Sequence, residues 1–387
     1  MLRVVAITPE TADAITLHLE HPDKTPIPYL AGQCLTLLVP VNGKKERRAY
    51  SLCSTPAEHP RLSVTVKRVK NGLVSNHLIS QIKIGDTLEA LAPLGNFYLK
   101  PAADNTRNVV LIGAGSGITP LMAMAKAVLQ EETKSRVFLI YGNRNENSVI
   151  FKDQLQQLTH RFPERLTVEY IYSQPQAAAP GTEIKVGGIF RKLFGKSKEE
   201  SPATLPVVSA PPVYTGRLTR ALLLKILEKH NLTDFLNTEY YLCGPPGLMA
   251  EAKAALTALH VPAERIFKES FVSSGDNAAD INATAAVAGE ENSTEIKDQE
   301  VTVRYDGHEY TLTVPKNKTI LEAALDQDID LPFSCQAGLC TACRGKCLSG
   351  KVHLDEREGL SDAEIAAGYV LTCVGHPLTS NVVIQID

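Results

Sequence analysis

The chain has no run of about 18 apolar residues, so no helix long enough to span a bilayer is expected. Its first residues, MLRVVAITPE, lack a basic stretch followed by an apolar one, so no secretory signal is expected. Neither sign of charge is in large excess. The 40 Lys and Arg against 43 Asp and Glu leave a net of −3, which argues against an overall basic, nucleic-acid-binding surface. Tryptophan is absent, which excludes nothing. Cysteine is sparse: eight in 387 residues suit a reducing compartment better than a disulfide framework, so a cytoplasmic location is expected. The length allows two or three domains, and 44% apolar with 21% charged residues is ordinary for globular protein.

Half of those cysteines form a pattern. Cys335, Cys340 and Cys343 read C-x4-C-x2-C, and Cys373 follows about 30 residues later. This is the plant-type spacing for a [2Fe–2S] cluster. Two bridged irons need four thiolates. Three come from one loop, CQAGLCTAC, in which Gly338 and the small Ala337, Thr341 and Ala342 let backbone N–H groups approach the sulfurs. The fourth arrives from a separate strand, YVLTC. Cys347 falls outside the spacing and reads as a spare thiol. Zinc is the other use of four cysteines, but its ligands usually pair as two C-x2-C knuckles, and one C-x2-C is present. A cluster would make the chain an electron carrier.

Residues 1–102 hold short β-rich runs, such as CLTLLV, LSVTVKRV and DTLEALAP, separated by Pro, Gly and Asn. That pattern predicts an antiparallel barrel or sandwich. From 103 to 272 it changes. VVLIGAGSGITPLMAMAKAVLQ and EYYLCGPPGLMAEAKAALTAL each read strand, turn and helix, with VFLIYGNR and LTVEYIYS as further buried strands, which predicts a parallel α/β sheet. Residues 176–213 have no period and read as an insertion, including the basic, apolar GIFRKLFGKSK. Residues 273–299 are small, polar and acidic, a linker composition. In 300–387 a hairpin turning at Asp306-Gly307, a helix TILEAALDQ and the cysteine loop predict a small α+β domain. Charge is uneven: the net is −6 over 300–387, −5 over the linker and +8 over 1–272. An acidic cluster domain would be steered toward a basic partner.

Several motifs suit flavin and nicotinamide chemistry. In Arg48-Ala49-Tyr50-Ser51, an Arg can fork onto a pyrophosphate, a Tyr can stack on a flat ring and a Ser can hydrogen-bond a flavin nitrogen. Gly72-Leu73-Val74-Ser75-Asn76 is a turn opening a helix, whose free N–H groups suit phosphate. Gly113, Gly115 and Gly117, with Thr119 and Pro120, lie between a strand and a helix and allow close approach of a dinucleotide. That stretch reads G-x-G-x-G-x-x-P and departs from the usual G-x-G-x-x-G. Cys243-Gly244-Pro245-Pro246 ends another apolar strand, at the ligand-binding edge of an open α/β sheet. Glu269-Ser270-Phe271 closes the segment before the linker.

RAYS, GLVSNHL, GAGSGITP, CGPPGLM and ESF stand in an order and spacing that resemble the ferredoxin–NADP reductase family. With a fused plant-type ferredoxin domain, the chain resembles the reductase components of multicomponent oxygenases, and YGNR, AAGYVLTC and PLTSNVVI are similar to those of ring-epoxidising systems. The resemblance implies a multidomain fold: a six-stranded antiparallel β-barrel for flavin, a parallel-sheet NAD(P) domain and a β-grasp ferredoxin domain. It implies Arg48, Tyr50 and Ser51 at the flavin, Gly72, Ser75 and Asn76 at its pyrophosphate, and Thr119 near the flavin–nicotinamide junction. Cys243 and Glu269 would flank hydride transfer, and Phe271 would shield the ring. FAD is favoured over FMN by the Gly72–Asn76 turn. NADPH or NADH stays open: Arg144 and Arg217 suit a 2′-phosphate, whereas Ser173-Gln174 stands where many relatives have Ser-Arg. The implied partner is an oxygenase or another electron-acceptor protein. A general reductase feeding a desaturase or hydroxylase, and a non-redox module holding zinc and nucleotide, are the alternatives.

Overall fold

The structure, a computed structural model, describes residues 1–176, 213–270 and 296–386, except 334, 335, 337, 339, 340, 358 and 361. The expected insertion and linker therefore lie almost wholly outside the described residues, as do Phe271, Cys335 and Cys340.

Six strands come first: β1 (Leu2–Thr11), β2 (Ala14–Glu20), β3 (Cys34–Val41), β4 (Lys44–Ser51), β5 (Arg61–Lys67) and β6 (Thr87–Ala90). Alternate residues such as Leu17 and Leu19, Leu35, Leu37 and Val39, and Leu62, Val64 and Val66 turn inward to one core, as the two-residue period of a strand requires. The antiparallel order β4-β3-β6-β1-β2-β5 closes on itself. Leu52, just past β4, bridges Val64 of β5, and Cys53 N–H donates to the Ser63 carbonyl at 2.8 Å. Helix α1 (Leu73–Ser80) plugs the barrel with Val74 and Leu78.

A parallel sheet follows: β7 (Asn108–Ala114), β8 (Arg136–Asn143), β9 (Leu166–Tyr172), β10 (Val213–Thr215), β11 (Thr238–Gly244) and β12 (Ile266–Ser270). Its order is β10-β9-β8-β7-β11-β12. Helices α2 (Ile118–Glu131), α3 (Lys152–Arg161), α4 (Arg220–Lys229) and α5 (Pro246–Ala258) cover it. Strand β7 is apolar from Val109 to Ile112 because both its faces are covered. Val109 and Leu111 join a core with α2 and α3, whereas Val110 and Ile112 join one with α4 and α5. The first of these cores also takes in Ala14, Cys53, Phe97 and Leu99 of the barrel.

The last unit contains β13 (Gln299–Tyr305), β14 (His308–Val314), α6 (Ile320–Asp326), β15 (Arg344–Ser349), β16 (Val352–Leu354), α7 (Asp362–Ala366), β17 (Tyr369–Leu371), β18 (Gly375–Pro377) and β19 (Val382–Gln385). A mixed sheet, β14-β13-β19-β15-β17, wraps α6 in the β-grasp manner, with β16 and β18 paired beside it. Asp306 and Gly307 adopt φ of 51° and 74°, the left-handed pair that a tight hairpin turn demands.

Arg107 ties the barrel-to-sheet connection to α2 and β11. Its guanidinium donates to Glu132 at 2.6 and 3.2 Å and to Glu239 at 2.6 Å. Glu132 is 0% exposed. Burial would raise its carboxyl, but hydrogen bonds from Arg107, Asn105 and Ser135 and the Arg107 charge outweigh that and hold it below the ordinary value. A carboxylate held low contributes stability that is present above its unfolded value and is lost as pH falls through its folded one. Arg107→Ala should therefore cost about 3–5 kcal/mol at neutral pH by stranding a buried charge. The deficit should shrink in acid, as pH falls through the lowered Glu132 carboxyl and the charge is lost. Urea unfolding of both proteins at neutral and at acid pH measures this; an equal deficit at both would contradict it.

Candidate functional site

The strand order reverses at β7, with β8 on one side and β11 on the other. In doubly wound sheets the ligand crevice lies at the carboxyl ends of the strands at such a point. Two loops meet there, Gly113–Gly117 after β7 and Cys243–Pro246 after β11. Their backbones touch: a Cβ on Gly117 would stand 2.1 Å from the Cys243 carbonyl oxygen, and one on Gly113 would stand 2.6 Å from Leu121 Cδ1. Gly115 has a φ of 54°, and its carbonyl accepts from the Tyr141 hydroxyl at 3.0 Å. Thr119, buried in the first turn of α2, donates to the Ser116 carbonyl at 2.9 Å. No side chain caps the start of α2. This is a tight glycine cradle that leads into a helix N-terminus, and it fits a dinucleotide phosphate.

The barrel brings a third wall. Ser51, at the end of β4, is 4% exposed and donates to Glu269 Oε2 at 3.3 Å. Glu269 lies beside Cys243 in the parallel register of β11 and β12. Ser51, Cys243 and Glu269, far apart in sequence, thus meet at one point. The Cys243 thiol is raised well above its ordinary value, first by burial and then by the Glu269 charge, so it is a neutral thiol at physiological pH.

Tyr50 packs against the barrel core, and burial lifts its phenol above the usual range. Arg48 is half-buried, with one nitrogen 2.7 Å from the Arg47 carbonyl and 3.2 Å from Glu46. At Gly72 a Cβ would stand 2.7 Å from Ser75 Oγ. Ser75 Oγ accepts from Val69 N–H at 3.1 Å, and the Asn76 amide donates to the Val69 and Gly72 carbonyls at 3.1 and 2.6 Å. Both side chains therefore brace the turn, leaving the uncapped first turn of α1 as the group facing outward. Lys67 Nζ lies 3.7 Å from the Cβ position of Gly115, so the end of β5 borders the nucleotide turn.

The outer strands carry the arginines. Gln174 N–H donates to the Arg144 carbonyl at 2.7 Å and Gly216 N–H to the Tyr172 carbonyl at 2.9 Å. This sets the exposed Arg144, Ser173-Gln174 and the exposed Arg217 along one edge, at the ends of β8, β9 and β10. Beside them is Asn143, which the sequence reading missed. It is 8% exposed, and neither its amide nitrogen nor its oxygen makes a well-formed hydrogen bond among the described residues. Buried amides are normally satisfied, so Asn143 suits a polar ligand group at this edge. The only advance signal was a lone polar residue ending an apolar strand.

In the last unit Cys343 and Cys373 are 1% and 6% exposed. Thr372 joins them: its N–H and hydroxyl donate to the Cys343 carbonyl at 3.1 and 3.2 Å. Cys373 sits in the short turn Thr372–Val374 after β17, one step beyond the strand expected to carry it. Gln336 and Gly338 have φ of 53° and 69°, which curl the loop, and a Cβ on Gly338 would stand 2.9 Å from Glu356 Cβ. Two buried cysteines tied through Thr372, with Gln336 and Gly338 in the left-handed conformation, are donors fit for an iron–sulfur cluster. Cys347 lies apart on β15, its thiol 3.2 Å from the Ser349 carbonyl.

Comparison with known proteins follows the same three units. Family models match for an oxidoreductase FAD-binding domain (residues 2–98), an oxidoreductase NAD-binding domain (111–205) and a 2Fe-2S iron-sulfur cluster binding domain (303–378). One component of the 1,2-phenylacetyl-CoA epoxidase of Escherichia coli is 33% identical over 100% of this chain and 97% of its own. The ferredoxin reductase component of the 3-ketosteroid-9-alpha-monooxygenase of Mycolicibacterium smegmatis is 32% identical over 100% and 96%. The solved phthalate dioxygenase reductase shares the fold, with a TM-score of 0.57 and 24% identity over 100% of this chain and 97% of that one. No described helix is long and apolar enough to cross a membrane. The chain is an oxidoreductase and belongs to the family of reductases that join an FAD-binding barrel, an NAD-binding sheet and a C-terminal 2Fe-2S domain.

Proposed function

We propose that the chain takes electrons from NADPH and delivers them singly to a partner oxygenase like the phenylacetyl-CoA epoxidase, in the cytoplasm. The division proposed is 1–102 for FAD, 103–272 for NADPH, 273–299 as linker and 300–387 for the cluster. The observation that carries this is the meeting of Ser51, Cys243 and Glu269, one residue from the barrel and two from the sheet, at the reversal of strand order.

When bound, the nicotinamide supplies a hydride, the flavin divides its electron pair, and the cluster carries one electron at a time at about −400 mV. The chain does the positioning. Glu269 accepts the Ser51 hydrogen bond and so fixes the hydroxyl that would face the flavin ring. Cys243 stays protonated and gives the nicotinamide a neutral, soft wall. Gly113, Gly115 and Gly117 let the dinucleotide lie against backbone, with Thr119 closing the cradle. Arg48, Tyr50 and the uncapped start of α1 at Gly72, held open by Ser75 and Asn76, would take the FAD isoalloxazine and pyrophosphate. Phe271 would cover the ring. Cys335, Cys340, Cys343 and Cys373 would hold the cluster. Arg144 and Arg217 favour NADPH because two exposed guanidinium groups on one edge suit a 2′-phosphate. A second acceptor class has support of its own, since the steroid monooxygenase reductase is almost as similar as the epoxidase component.

The purified protein should show a flavin band and a red-brown cluster absorption, both bleached by NADPH; a colourless, zinc-loaded protein would overturn the reading. Ser51→Ala should slow flavin bleaching in stopped flow about a hundredfold, with FAD content unchanged; an unaltered rate would remove Ser51 from the hydride step. Arg144→Ala combined with Arg217→Ala should lower the NADPH/NADH ratio of kcat/KM at least about tenfold, since charged contacts of this kind are worth about 1.5–3 kcal/mol each. A preserved ratio would assign the 2′-phosphate to other residues.

A further inference from the structure

The cluster unit rests on the barrel through β4. One guanidinium nitrogen of Arg47 donates to both carboxylate oxygens of Asp330, at 2.6 and 2.9 Å. The same guanidinium lies 4.4 Å from the ring centroid of Phe333, within range of a cation–π contact. Phe333 packs its other side on the core beneath β13 and α6. A smaller contact adds to this: the Asn96 amide donates to Glu364 at 3.4 Å, and Arg344 of β15 holds Glu364 in place.

The position of this contact matters more than its size. Arg47 is on the strand that carries Arg48, Tyr50 and Ser51, three residues, or about 10 Å, from Tyr50. Phe333 stands two residues before Cys335, a chain reach of at most about 7 Å. The contact therefore joins the strand that lines the flavin site to the start of the cysteine loop.

Neighbouring charges are satisfied locally. Lys45 pairs with Glu89, Arg48 with Glu46, and Asp326 with Lys318. Arg47 and Asp330 pair across the two units instead. The arginine side chain is 16% exposed, with Phe333 over its guanidinium, and the aspartate is 72% exposed, so the cation is covered while the acid stays open to solvent.

We propose that Arg47 is the positioning residue for internal electron transfer. It docks the cluster domain through Asp330 and Phe333 in the pose from which one electron passes, and it releases that domain again because the bond is a solvent-edged ion pair. One electron lost by the flavin would be one gained by the iron of the cluster that the cysteines would hold, and no bond is made or broken. This rests on the flavin-to-cluster route proposed above.

The test uses the full chain with Arg47→Glu, Asp330→Arg and the two together. Each single variant should slow cluster bleaching by NADPH about tenfold, equivalent to about 1.4 kcal/mol, while flavin bleaching keeps its rate. Small-angle scattering of the same proteins should show a larger radius of gyration for the singles. The double variant, with the pair reversed, should return both readouts toward the wild type, and 0.5 M NaCl should act on the wild type as the single variants do. Asp330 is exposed, so Asp330→Arg tests the contact even where Arg47→Glu folds poorly. Singles that stay compact with normal cluster bleaching would overturn the docking role. Singles that expand yet bleach normally would show that this pose is not the one used for transfer. A wild type without flavin or cluster bands would instead sink the route itself.

Discussion

The shared core between the barrel and the parallel sheet governs the geometry of the site. Phe97, Leu99 and Cys53 are buried among the residues of α2 and β7. The fit extends to backbone: a Cβ on Gly32 of the barrel would stand 2.4 Å from Met124 Cε of α2. Polar contacts pin the edges, with Lys126 on Glu58 at 2.6 Å and Phe151 N–H on Glu10 at 3.1 Å. Helix α2 begins at the glycine cradle, so the element that anchors the barrel also starts the nucleotide site. Ser51 can then meet Glu269 at hydrogen-bond distance without any local sequence relation between them. Interiors packed this closely transmit position rather than absorb it.

What the sequence made legible follows from how local each feature is. The glycines at 113, 115 and 117 could be read because a tight approach leaves a mark on the residues that make it. The Asp306-Gly307 hairpin could be read because the left-handed conformation selects those residue types. The cysteine spacing could be read because three of the expected ligands share one loop, although two of the four cysteines lie outside the described residues. Ser51 and Glu269 could be paired only through family resemblance, since the residues are 218 apart. Asn143 went unread because a poorly satisfied amide is a property of the folded surroundings. Ser75 and Asn76 were read as ligands from a pattern that fits a phosphate turn. The structure shows a prior use, since both brace the backbone of that turn. Their contribution to binding would then be the shape of the helix start.

The barrel makes two contacts of different character. Against α2 it is apolar, buried and interlocked, which suits parts that must keep one geometry for hydride transfer. Against the cluster unit it offers Arg47, an ion pair with an exposed acid, and one aromatic ring. Exposed ion pairs are worth about 0–1 kcal/mol and are weakened by salt. Such a contact orients a domain without holding it permanently.

That weakness is what a one-electron relay requires. A cluster fixed to the barrel by an interface like that of α2 would leave the loop at Cys335–Cys343 facing a single neighbour. An electron delivered there would have no second surface to reach. The opposed net charges, +8 over residues 1–272 and −6 over 300–387, give the return approach a long-range pull within about 8 Å of contact at physiological salt. Orientation on arrival is left to Arg47 and Phe333. The uneven charge read from the sequence and the ion pair read from the structure are therefore one device at two ranges, the first for approach and the second for registration.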